Sequence, residues 1–139
     1  MRIIQIIDSL EAGGAERMAV SYANGLVNKI EFSGLVATRM EGVLRNNLEE
    51  FVSYLYLNKK SALDFSALFR LRNYVVQNKV RIVHAHGTSF FIAVLLKITY
   101  PKVKIIWHEH YGARAKQSRF NNLVLLFSSL LFSAQASIT

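Results

Sequence analysis

The chain contains no cysteine among its 139 residues. No disulfide can staple it, and no thiolate can ligate a metal. A single proline, Pro101, leaves no Pro-rich linker. Acidic side chains are scarce, 9 against 17 lysines and arginines, for a formal net charge of +8. That surplus favours anionic partners: nucleic acid, acidic membrane or phosphorylated ligands. The basic residues are scattered, with no long run of one sign, so no nucleic-acid partner is expected. Long apolar runs are missing too. Residues 123–134 (LVLLFSSLLFSA) are very apolar, but a spanning helix needs roughly 20 such residues. That stretch reads as a buried or membrane-surface helix. Arg2 is followed by too few apolar residues before Asp8 for a secretory signal. The expected location is therefore cytoplasmic, with peripheral contact at the inner membrane face. What the chain does have is 52% hydrophobic residues. That excludes a disordered chain and supports one real core, so a single domain over 1–139 is expected.

The apolar pattern divides this domain into alternating elements. Residues 3–7 form a mostly continuous β-branched run, as in a parallel strand buried on both faces. After Gly14 an apolar stripe (Met18, Ala19, Tyr22, Ala23, Leu26) predicts a helix over 15–27. A second strand is predicted over 32–37, a turn at Glu41-Gly42, a short helix over 44–50 and a third strand over 51–57. Asp64 or Ser61 can cap a helix over 65–78. A fourth strand follows over 80–85. Thr88 or Ser89 is expected to cap an apolar helix over 90–99, which stops at Tyr100-Pro101. A fifth strand is predicted over 104–107, a polar loop over 108–117, a helix from Ser118 to about 134, and a sixth strand beginning at 137. Such alternation predicts an α/β domain: a parallel β-sheet flanked by helices, with ligands at the carboxyl ends of the strands.

Three patterns carry candidate chemistry. Gly13-Gly14-Ala15-Glu16 stands between a strand and a helix, where two glycines let backbone N–H groups approach a phosphate. The dinucleotide fingerprint G-x-G-x-x-G is incomplete, since the third glycine is missing and the loop is long, and no Walker sequence occurs. The plain alternative is an ordinary flexible loop. The second pattern is a pair of His-x-His triplets, His84-Ala85-His86 and His108-Glu109-His110, which hold every histidine of the chain. Residues i and i+2 of a strand face one way, so each triplet can present two imidazoles together. They suit either a metal site or a polar pocket with one histidine as acid or base. His84 also fits a core histidine inside its strand. The third pattern is the loop 111–117, where Arg114 and Lys116 are placed to meet an acceptor's phosphate or simply to solvate a surface.

These motifs, in this order, resemble the N-terminal domain of the retaining glycosyltransferases of family 4, which have the GT-B fold. The resemblance rests on residues 3–8 followed by Gly13-Gly14-Ala15-Glu16-Arg17, on Val83-His84-Ala85-His86-Gly87, and on Ile106-Trp107-His108-Glu109-His110. It spans essentially the whole chain. It implies transfer of a sugar from a nucleotide-sugar donor to an acceptor, a glycan or a lipid-linked molecule, in a cleft between two Rossmann-like domains. It places Gly13 and Gly14 at the donor diphosphate. It sets Glu16 and His86 on the acceptor side, to which the reading of the following loop adds His110, Arg114 and Lys116. It makes His108 the residue beside the reacting sugar. It implies no metal and no cofactor, the nucleotide-sugar being a substrate. The donor-binding C-terminal domain of that family is absent from residues 1–139, so the chain is expected to be inactive alone. Two other readings stay open: a non-catalytic interaction or membrane-surface module, and a metal-dependent hydrolase using both triplets.

Overall fold

The computed structural model describes residues 1–109 and the backbone of 134–137. Six strands, β1 (Arg2–Ser9), β2 (Phe32–Met40), β3 (Ser53–Tyr56), β4 (Ile82–His86), β5 (Lys104–Glu109) and β6 (Ala134–Ser137), form one sheet. The strand order is β3-β2-β1-β4-β5-β6, and all five pairings are parallel. This is the parallel α/β sheet that the alternation predicts, with the Rossmann-like form that the family resemblance implies. Among the described residues, three α-helices accompany it: α1 (Gly14–Val27), α2 (Phe65–Gln77) and α3 (Phe90–Thr99). Among the described residues, no helix is long and apolar enough to cross a membrane.

Strand alternation assigns the two cores. Ile4 and Ile6 of β1 pack with Leu68, Leu71 and Ile92, on the face covered by α2 and α3. Ile7, one residue out of phase, packs with Ala19, Val20 and Ala23 of α1 on the other face. Two alanines in α1's buried stripe let that helix lie close to the sheet. Gln5 shares the α1 side with Ile7 by alternation, and it is buried.

α2 starts where the Asp64 cap was expected. The Asp64 carboxylate accepts from the N–H groups of Ala67 at 3.0 Å and Lys60 at 2.9 Å. Those two bonds hold its pKa below the usual carboxylate range. α3 departs from expectation, because neither hydroxyl caps it. Ser89 Oγ donates to the carbonyls of Ile6 and His86, each at 2.8 Å, and Thr88 Oγ1 donates to Asp8. A short 3-10 turn, Gly87–Ser89, leads into the helix instead.

The helix predicted over 44–50 is a 3-10 turn, Val43–Asn47. Here tertiary contact overrides propensity. Leu44 is buried and its N–H donates to the Leu10 carbonyl at 3.0 Å. Gly42, just before, lies against the Leu10 carbonyl so closely that an added Cβ would approach within the 3.0 Å limit that Cβ atoms essentially never breach. Leu10 N–H in turn donates to the Met40 carbonyl at 3.3 Å. The segment after β1 is thereby fastened to the end of β2.

β5 does not stop at 107 but runs on through His108 and Glu109. Their ladder continues, with His108 paired to His86 on one side and to Ala136 on the other. Polar residues at a strand end read as loop, yet two neighbouring strands keep them extended. β6 correspondingly starts at Ala134, three residues before the predicted start at 137. The remainder of the predicted polar loop and the predicted helix from Ser118 lie outside the described residues.

Candidate functional site

The strand order reverses between β1 and β4. The chain leaves β1 toward β2 on one side, and leaves β4 toward β5 on the other. In open parallel sheets this switch point opens a crevice beyond the carboxyl ends of the strands. Two turns border it: residues 10–13 after β1, and the Gly87–Ser89 turn after β4.

The first turn ends at Gly13, the N-cap of α1, in extended backbone. The opening N–H groups of an α-helix have no acceptor within the helix, and the helix dipole adds a partial positive charge there. An added Cβ at Gly14 would meet nothing within 4 Å, so this backbone faces open space. At Gly13 a Cβ would run into Glu16 Oε2. The Glu16 carboxylate thus folds back over the helix start and sits where an anionic ligand would approach. Gly13, Gly14 and Glu16 are brought together as their spacing predicts.

Below this turn Asp8 joins three segments. Thr38 Oγ1 of β2 donates to Asp8 Oδ1 at 2.5 Å, and Thr88 Oγ1 donates to Asp8 Oδ2. Lys59 lies nearby and is buried, its own N–H donating to the Thr38 carbonyl at 2.7 Å. Burial holds the Lys59 ammonium below the usual lysine range, opposed by the Asp8 carboxylate and reinforced by the Arg39 cation.

The second turn carries the imidazoles. Gly87 has φ of +57°, a left-handed conformation that costs a side-chain-bearing residue roughly 1–2 kcal/mol. Its carbonyl accepts from Trp107 Nε1 at 3.1 Å, which ties the end of β4 to β5. His86 and His108 are cross-strand partners with ring centroids 5.5 Å apart. His84, two residues before His86, brings a third ring, at 4.3 Å from His86 and 5.4 Å from His108. Tyr22 of α1 lies over the group, its ring 5.2 Å from that of His84. His86 Nε2 and Gln5 Oε1 are hydrogen-bonded at 2.8 Å.

His108 therefore does not open a polar loop. It is a strand residue, only 3% exposed, and His86 is 1% exposed. His84, read as a candidate core histidine, is half-buried and belongs to the same cluster. His110, Arg114 and Lys116 lie outside the described residues. Sequence reasoning gave no role to Gln5, Tyr22 or Lys59. Gln5 left a signal, a polar residue inside an isoleucine run. Tyr22 read as one more apolar stripe residue, and Lys59 stands in none of the three patterns.

Comparison with known proteins accords with this geometry. The family model described as Glycosyltransferase Family 4 matches residues 12–138. No curated protein matches. Among solved structures, the fold is similar to that in the crystal structure of Anabaena Alr3699/HepE in complex with UDP. The TM-score is 0.72 at 14% identity, over 95% of this chain and 36% of that one. The likeness shows a shared fold, and this chain spans a little over a third of the other's length.

Proposed function

We propose that this chain, which belongs to Glycosyltransferase Family 4, is the acceptor-side N-terminal domain of a retaining glycosyltransferase that moves a sugar from a nucleotide-sugar donor to a glycan or lipid-linked acceptor. The bond from the anomeric carbon to the diphosphate oxygen breaks. A bond from that carbon to the acceptor oxygen forms, and the acceptor's proton passes to the departing diphosphate. Catalysis of this kind rests on positioning and on stabilising the departing diphosphate. In this reading the N–H groups at Gly13 and Gly14 receive the diphosphate, and His108 stands at the reacting sugar. His86 and Glu16 line the acceptor side, with His110, Arg114 and Lys116. The donor's base is held by a second domain, so residues 1–139 alone turn nothing over. No metal or cofactor takes part in the transfer, and the protein works on the cytoplasmic side, in peripheral contact with the membrane.

One observation carries the reading: the glycine-started helix and the His86-Gly87 turn border the same crevice, where the strand order reverses. The test uses the complete gene product with a panel of radiolabelled nucleotide sugars. His108→Ala, with His108→Asn as the less disruptive partner, is expected to lower turnover by about 10²-fold or more while leaving a cooperative thermal transition. Full activity in a folded His108→Asn protein rejects the role given to His108. Turnover by residues 1–139 alone rejects the need for a second domain.

A further inference from the structure

We infer that His84, His86 and His108 form a binding site for one divalent transition-metal ion of the zinc class. The inference does not rest on the transferase reading; His86 and His108 belong to both, so a bound ion and a sugar would exclude one another at these side chains. The three side chains are brought together by the sheet itself. His84 and His86 occupy i and i+2 of β4 and so share a face, and β5 pairs His108 directly with His86. One ring nitrogen from each residue can be chosen so that all three lie within 4.8 Å of one another.

The spacing suits a single ion. With Zn–N about 2.1 Å, three imidazoles on a tetrahedral ion hold their nitrogens about 3.4 Å apart and their ring centroids roughly 5 Å apart. The observed centroid separations are 4.3, 5.4 and 5.5 Å. Ring rotations that move the nitrogens by roughly an ångström complete the coordination. The set would leave a fourth position for water or another ligand, as three-histidine zinc sites do.

A second observation concerns the tautomer. Gln5 Oε1 can only accept, so the 2.8 Å bond means that His86 Nε2 carries the proton and donates it. Nδ1 is then the lone-pair nitrogen. A metal-binding histidine characteristically gives its other N–H to an oxygen acceptor, which fixes both the tautomer and the ring orientation. Gln5 supplies that acceptor from the adjacent strand, and β1 pairs it in register with His84. This accounts for a buried glutamine in an otherwise apolar strand. The donor set also selects among ions. Three imidazoles without a carboxylate favour zinc, cobalt, nickel or copper over magnesium and calcium.

The test titrates cobalt(II) into the tag-free, chelator-stripped chain. The expected result is a visible d–d absorption band that saturates at one equivalent, is erased by zinc and is unchanged by excess magnesium. His84→Phe removes the band, and His84→Gln, which keeps a polar side chain should the phenylalanine not fold, weakens zinc binding by at least 100-fold. Gln5→Leu lowers zinc affinity about 10- to 100-fold, as loss of an outer-shell acceptor does. A titration without a saturating band overturns the inference, and so does a folded His84→Gln protein that binds cobalt like the original. Neither result bears on transfer activity, for which His84 has no assigned role.

Discussion

Replacing Gly42 with alanine adds one methyl group, and the structure says where it goes. The new Cβ would lie closer than 3.0 Å to the Leu10 carbonyl and to the Glu11 nitrogen. Both are backbone atoms, so no side chain can rotate out of the way. The segment after β1 must separate from the turn after β2. Two hydrogen bonds cross that contact, Leu44 N–H to the Leu10 carbonyl at 3.0 Å and Leu10 N–H to the Met40 carbonyl at 3.3 Å. Losing or stretching them removes about 0.5–1.5 kcal/mol each. Relieving the overlap costs about 1–3 kcal/mol more. Gly42→Ala should therefore destabilise the chain by about 2–6 kcal/mol. The same change at Gly25, exposed in the last turn of α1, meets nothing within 4 Å. There alanine should stabilise by about 0.5–1 kcal/mol, because glycine is the poorer helix former. Urea unfolding of the three proteins, followed by far-ultraviolet circular dichroism, measures both shifts. A Gly42→Ala protein as stable as the original would refute the close approach. A Gly25→Ala protein destabilised as much as Gly42→Ala would show that methyl placement is not the cause.

Two further predictions concern the crevice. The lowered folded-state pKa of Lys59 means that the unfolded chain binds more protons between that value and the unfolded value of about 10.4, so stability rises with pH across this window. Urea midpoints for the original and for Lys59→Met should therefore converge or cross as the pH climbs toward about 10.4, and profiles parallel throughout contradict the buried charge. Glu16→Gln removes the negative charge folded over Gly13. In the complete gene product it should tighten binding of nucleoside diphosphates several-fold at low salt, measured calorimetrically across a panel of bases, and an unchanged affinity would mean that the carboxylate does not face the diphosphate.

Much of this fold was readable in the residues, and the misreadings share a physical cause. Isoleucine runs, a glycine pair and an aspartate cap are local signals, and β1, the start of α1 and the start of α2 followed from them. The continuation of β5 through His108 and Glu109 did not. It depends on β4 and β6 supplying partners from distant parts of the chain. Thr88 and Ser89 looked like caps because capping is the local use of a hydroxyl. Thr88 instead donates to Asp8, and Ser89 to the Ile6 carbonyl as well as to the nearby His86 carbonyl; Asp8 and Ile6 are some eighty residues away. The histidine cluster was half legible. The i, i+2 spacing announced the His84–His86 pair, while the meeting with His108 required the register of two strands. Lys59 offered no sign of burial, since nothing local separates a buried lysine from a solvated one.

The order of the sheet has a consequence for synthesis. β1 is the central strand and is made first, yet its partner on one side, β4, begins only at Ile82. At about 5–20 residues per second, some seventy residues take roughly 4–15 s to emerge. Throughout that interval the β4-facing edge of an isoleucine-rich strand stands unpaired, the kind of edge that templates association between chains. β2 can cover the other edge early. The nascent chain is thus most exposed to aggregation before residues 82–86 leave the ribosome, and slowed translation between β2 and β4 would prolong that exposure.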